Sequence, residues 1–272
     1  MPDITAKLVN DLRAKTGQGM MECKKALQEV GGEIEKAIEY FRKKGVKSSV
    51  AERTPTEGRV VGAVSADGKS GALVEVLCNT DFTGKSQPVL DLGTAAANLL
   101  LTNPGANVVE DAQIKHKITE VSQQTGENVR IGRTKFLSNP AGKVGLFIYT
   151  VTNKIGVLAS VTGAPGDELL RDLGMHVTAK IPLAVALTRE GVPAELVAKE
   201  KQLAVAQAVE SGKPPQIAEK IAEGKMRTFY EERVLLDQEF IKPDKFKGSV
   251  GQLLKQNNCT LTDYARIEVG LA

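Results

Sequence analysis

The sequence predicts an α+β protein with a three-helix N-terminal module, a two-part core of antiparallel sheets and helices, and a protruding antiparallel coiled-coil hairpin. Three observations carry that prediction. Apolar residues recur at helical spacing three times within the first 45 residues. The pattern then switches to Val-rich runs around Asp67-Gly68, and a similar run recurs around Asn153-Lys154. Finally, two Ala-rich helical stripes meet at the breaker Gly212-Lys213-Pro214-Pro215.

In the first segment Asp3 is a candidate N-cap, Ile4, Leu8 and Leu12 form a stripe, and Gly17 stands where the helix would stop. Met20, Cys23, Leu27 and Val30 make a second stripe, ended by Gly31-Gly32. Ile34, Ala37, Ile38 and Phe41 make a third, which runs into the basic Arg42-Lys43-Lys44 before Gly45. Residues 1–45 therefore read as one compact helical unit, close to the smallest size that folds alone. Residues 46–57 are polar, contain Pro55 and read as a linker.

Beyond the linker, 58–66 and 71–78 read as the arms of a β-hairpin, because Asp-Gly suits the tight turn between them. Helices are expected at about 87–101 and 108–124, and a strand at 128–137. The order then recurs: a hairpin of 142–151 and 155–162, a helix at about 167–180, and a last strand at 261–269. Two similar halves follow from this, 58–140 and 141–272. Inside the second half, Pro193 opens a helix running to Ser211, and Ile217, Ile221, Ala222 and Phe229 mark its partner. The thin apolar stripes suit a pair of helices, about 192–229, that leans away from the body.

Composition narrows the functional classes. With 42% hydrophobic and 25% charged residues the chain can bury an ordinary core, so no disorder need be invoked. A net charge of +3, spread along the chain, argues against a dedicated nucleic-acid binder. Aromatics at 4%, with no Trp, argue against base-stacking platforms. Cys23, Cys78 and Cys259 show no paired spacing and read as small buried hydrophobes in a reducing compartment. The N-terminus lacks the apolar stretch of a signal peptide, and no apolar run approaches a membrane span, so a cytoplasmic protein is expected.

Motifs for chemistry are missing. Neither phosphate-binding glycine pattern occurs, nor does a nucleophile elbow, and His116 and His176 have no metal-ligand neighbours at useful spacing. No cofactor and no metal are expected, and a protein-binding role is favoured over an enzyme. Three features stand out within that role. Asp81-Phe82, just past a buried strand, reads either as a capped turn with Phe82 folded onto the core or as an outward aromatic anchor. His176, well inside a helix, reads either as a satisfied structural residue or as a functional one. Met20-Met21 places one methionine toward the helical core and leaves its neighbour to point elsewhere. The competing classes are an RNA- or ribosome-associated factor using the basic stretch 42–59, and an enzyme with an unrecognised carboxylate site.

Taken together, the segments resemble the elongation factor Ts family. Leu-Arg-Ala-Lys-Thr-Gly at 12–17 and Gly-Met-Met-Glu-Cys-Lys-Lys-Ala-Leu at 19–27 carry the strongest match. Glu75-Val76 followed by Cys78-Asn79-Thr80-Asp81-Phe82 carries the second. Met175-His176-Val177, Ser211-Gly212-Lys213-Pro214 with Ile217-Ala218-Glu219-Lys220, and Val250-Gly251-Gln252-Leu253-Leu254 follow in the family's order. The resemblance implies a ubiquitin-associated-like N-terminal module and a nucleotide-exchange factor for elongation factor Tu, without covalent catalysis. It implies that Asp81 and Phe82 meet the partner's GTP-binding domain and that His176 acts near its phosphate loop. It also implies that Arg13, Met20 and Met21 belong to the N-terminal contact surface, and that the helical pair reaches another part of the partner. Departures are Thr83-Gly84 where many members have Val-Ala, and Leu77 where Asn is common. The sequence ends at Ala272, where some members carry a helical tail, so subunit pairing through such a tail is not expected.

Overall fold

The computed structural model describes residues 4–16, 18–43, 54–212 and 214–271. The expected cap at Asp3, the stop at Gly17, Lys44-Gly45, most of the linker (46–53) and Lys213 of the breaker lie outside the described residues. Three helices open the chain: α1 (Ala6–Thr16), α2 (Met20–Glu29) and α3 (Ile34–Lys43). Their helical stripes converge, as the spacing requires, into a small core of Val9, Leu12, Cys23, Ala26, Leu27, Ala37 and Phe41.

Two three-stranded antiparallel sheets follow. The first is ordered β1 (Glu57–Val64), β2 (Ser70–Cys78), β3 (Arg130–Ser138), and the second β4 (Gly142–Ile148), β5 (Ile155–Thr162), β6 (Thr260–Glu268). Each begins with a tight hairpin and finds its third strand after an insertion of helices, and each has one register shift in its second pairing. The hairpin turns are where the sequence puts them: Gly68 has φ +69° and Asn153 φ +56°, the left-handed region that Gly and Asn tolerate best.

The sheets stack face to face between two layers of helix. The first sheet is covered by α5 (Gln87–Thr102), with α6 (Ala112–Thr125) behind it, and the second by α7 (Asp167–Ala179). Strand alternation divides the work. Ala72, Val74, Val76 and Cys78 face α5, while Leu73 joins Val60, Val144, Leu158 and Ile267 between the sheets. Close approach at the sheet interface depends on missing side chains. A Cβ on Gly71 would stand 2.8 Å from both Leu158 and Val144, and one on Gly62 2.5 Å from Leu146. One polar group is buried on the interface-facing side of β2. Glu75 accepts from the backbone N–H of Arg133 and from its guanidinium, and Arg133 donates onward to the carbonyl of Glu268 in the second sheet. That pairing lets a carboxylate sit at the sheet contact.

The insertion in the second half holds α8 (Ala194–Glu210), α9 (Pro215–Arg233) and α10 (Val250–Gln256). α8 and α9 pack on each other, with Ala204, Ala208, Ala218 and Ala222 buried, and neither has a comparable contact with another named helix or strand. α10 starts from a capping box in which Ser249 and Gln252 exchange hydrogen bonds. Cys23, Cys78 and Cys259 are buried free thiols, as their spacing suggests.

Candidate functional site

The segment read as a turn is a short helix, α4 (Asp81–Lys85), set between β2 and α5. Thr80 caps it, its hydroxyl accepting from the N–H of Thr83 at 3.3 Å. Asp81 and Phe82 are its first two residues, and the aromatic ring does not fold onto the core: Phe82 is 82% exposed. The reading of Phe82 as a core side chain is therefore overturned. Two causes are visible. Thr83 and Gly84 are the buried residues of the turn. Gly84 also lies so close on β1 that its Cβ would be 3.1 Å from the Gly58 carbonyl. With that face of α4 pressed on the strand, Phe82 is directed to solvent. Asp81 is held ionised by Lys85 one turn later, at 2.7 Å, which lowers its pKa.

Glu127 locks this corner, and sequence reasoning missed it. One carboxylate oxygen accepts from the backbone N–H groups of Asn79 and Thr80, at 2.9 and 3.0 Å. The other accepts from the hydroxyls of Thr80 and Thr83, at 2.6 and 2.8 Å. Partial burial alone would raise the pKa of Glu127, but the donors outweigh it and the group is held below its ordinary value. Cys78 donates to the Thr80 carbonyl, and burial with the nearby Glu127 charge pushes its pKa up to about 11, so it stays a thiol. Glu127 follows Gly126, which ends α6 in the left-handed conformation. The β4–β5 turn lies against the same end of β1: Asn153 accepts from the N–H of Val60 at 2.7 Å, and Val151 on that turn is 74% exposed.

On the N-terminal helices, Met20 and Met21 open α2 and are 54% and 68% exposed. Both point away from the helical core, so the expectation that one would face inward is corrected. The core positions of that turn are taken by Cys23, Ala26 and Leu27. Arg13 is exposed near the end of α1. α1 lies against α6, the helix that leads into Glu127.

His176 is placed differently from the other candidates. It has no exposed surface, stacks on Phe240 with ring centroids 5.8 Å apart, and bonds through both ring nitrogens to Gln238 and Ile241. Burial lowers its pKa to about 4, against the acceptor on Gln238, so the ring is neutral. The structure thus brings Asp81 and Phe82 together at an exposed corner and leaves His176 inside the second half. Among the described residues no cluster of His, Cys, Asp or Glu could hold a metal ion, and no helix is long and apolar enough to cross a membrane.

Comparison with known proteins gives a consistent result. A family model described as Elongation factor TS matches residues 79–271. The chain is 39% identical to Elongation factor Ts of Methylococcus capsulatus over 98% of its own length and 92% of that protein's. It is 41% identical to Elongation factor Ts of Halorhodospira halophila, with 98% and 92% covered. Its identity to Elongation factor Ts of Yersinia pestis is 40%, with 99% and 93% covered.

Proposed function

The chain belongs to the elongation factor Ts family, and from that premise we propose that it binds elongation factor Tu carrying GDP and accelerates GDP release, so that GTP can rebind. The observation that carries this reading is the exposed Phe82 on a corner fixed from behind by Glu127. An aromatic ring left in water on a rigid support is what a binding anchor looks like before its pocket arrives. Burying it contributes about 2–3 kcal/mol.

That energy accelerates release only where it is realised more fully once the partner's phosphate and Mg²⁺ contacts are broken. GDP is held by backbone N–H groups and the metal ion, so a partner segment displaced by Phe82 loosens both. The coupling is reciprocal: a bound nucleotide weakens the factor's grip by the same factor by which the factor weakens that nucleotide, so rebinding GTP expels it. No bond is made or broken, no cofactor is needed, and the protein acts as an exchange factor, not an enzyme. In this reading Asp81 supports the Phe82 contact, and Arg13, Met20 and Met21 contribute an adaptable second surface on the same GTP-binding domain. The α8–α9 pair acts as a projecting antiparallel coiled coil that reaches another part of the partner. Residues 1–45, 58–140 and 141–272 serve as the three working units, joined by the 46–57 linker, in a cytoplasmic protein without direct nucleic-acid contacts. His176, being buried, acts without touching the partner.

The test is release of a fluorescent GDP analogue from elongation factor Tu. Phe82→Ala is expected to slow stimulated release roughly tenfold to a hundredfold with an unchanged melting temperature. A well-folded Phe82→Ala protein that exchanges nucleotide normally would remove the anchor from the mechanism.

A further inference from the structure

The polar atoms of His176 and Gln238 form a closed chain at the root of the α8–α9 pair. The N–H of Ile241 donates to His176 Nδ1 at 3.2 Å, so Nδ1 bears no proton. Nε2 is then the N–H of the neutral ring, and it donates to Gln238 Oε1 at 3.1 Å. With its oxygen so fixed, the Gln238 amide turns its NH₂ outward. It donates to the carbonyls of Pro182 and Glu232, at 2.9 and 2.7 Å. Those carbonyls lie on the two legs of the pair. Pro182 belongs to the segment that leaves α7 for α8, and Glu232 sits in the last turn of α9. The legs also run side by side, Val185 donating to the Arg233 carbonyl and Leu235 to that of Ala186.

We propose that His176 and Gln238 are positioning residues that set the direction in which α8 and α9 leave the body, and through it the second contact with the partner. The proposal rests on the exchange-factor reading for its functional half only. The geometry favours this role over plain core filling. Gln238 is buried yet spends both donors on backbone carbonyls of different segments, the arrangement of a joint between elements. His176 ties that joint to α7, the helix that covers the second sheet. α8 and α9 pack chiefly on each other, so their direction is decided at the root. At 1.5 Å per residue α8 is about 25 Å long, so roughly 10° of freedom at the joint moves its far end by about 4 Å.

The experiment is a spin-label distance measurement on the full chain, with labels on Ala66→Cys in the β1–β2 turn and Glu210→Cys at the end of α8. Both sites are exposed, whereas the native thiols are buried. Gln238→Leu, and in parallel His176→Phe, which keeps the ring stack on Phe240, are expected to broaden a narrow distance distribution. The same proteins are then titrated in the GDP-release assay. The expectation is a roughly tenfold rise in the half-saturating concentration with the maximal rate retained. A merely structural role would reduce the active fraction and leave half-saturation in place. A distribution that stays narrow in whichever variant folds overturns the joint. Broadening with unchanged half-saturation overturns its functional half. If the unsubstituted chain fails to stimulate release, the exchange reading falls, and the distance measurement still decides the joint.

Discussion

The α4 corner and the last turn of α7 are the two places where an aromatic or imidazole side chain stood out in the sequence, and the fold treats them in opposite ways. Phe82 has its apolar ring in water, on a short helix whose cap, Thr80, is tied to Glu127 and to Thr83. His176 has a polar ring with no water contact and both nitrogens tied to protein. The first arrangement leaves apolar surface in water, and the second spends its interactions inside the molecule. The difference teaches that a matching motif identifies a residue under constraint without saying whether the constraint comes from inside or outside.

The largest expected effect separates the two on stability. His176→Ala removes a buried ring, leaves Gln238 Oε1 and the Ile241 N–H without partners, and opens a space beside Phe240. A loss of about 3–4 kcal/mol in folding free energy is expected. Phe82→Ala, at an exposed site, is expected to change stability by no more than about 0.5 kcal/mol. Urea unfolding of both proteins checks the contrast. Equal losses would erase it.

Acid gives a somewhat smaller effect that also falls on one side only. His176 titrates at about 4 in the fold and near 6.5 when unfolded. Between those values the unfolded chain binds more protons, so stability is full above pH 6.5 and falls as the pH drops toward 4. The loss between pH 7 and pH 5 is about 2 kcal/mol. The charged groups near the ring are Lys180, which disfavours its protonation, and Asp172 one turn away, which is occupied by Lys242 and Lys245. Asp172 and Glu127 have lowered pKa values, and their contributions disappear only below the ordinary carboxylate range, outside this window. Denaturation at the two pH values should therefore show a slope in the unsubstituted protein that His176→Phe flattens. The slope surviving in His176→Phe would assign it elsewhere.

Much of the fold is legible because its signals are local. Asp67-Gly68 and Asn153-Lys154 place both hairpins, and the helical stripes place α1 to α3 and α5 within a residue or two. α4 is not legible as a helix because five residues are too few to show a period. Phe82's exposure is not legible either, since it depends on Gly84 meeting Gly58, a contact between residues far apart in the chain. The same reason hides Glu127 from its donors, 44 to 48 residues away, and Gln238 from His176, 62 residues away. Chain neighbours announce elements, whereas a polar group held by distant partners leaves no periodic trace.

The smallest expected effect tests whether the α4 corner is rigid in its own right. Thr83 and Gly84, the residues read from the sequence as departures from the resemblance, both have a role in the structure. Gly84 permits the close approach to Gly58, and the Thr83 hydroxyl supplies one of the four donors to Glu127. Glu127→Gln keeps the shape of the side chain but replaces one acceptor oxygen with a donor that faces other donors. A local loss of about 1–2 kcal/mol is expected. Thr83→Val removes a single donor and should cost less, about 0.5–1 kcal/mol. Both should appear as faster hydrogen exchange at the Asn79 and Thr80 amides, with protection of β5 unchanged. Stimulated GDP release should fall in the same order, because a looser corner must be ordered when it binds. If Glu127→Gln leaves those amides protected, the corner is held by Gly84 on Gly58 and not by the carboxylate. The contrast with the His176 joint would then rest on Phe82's exposure alone.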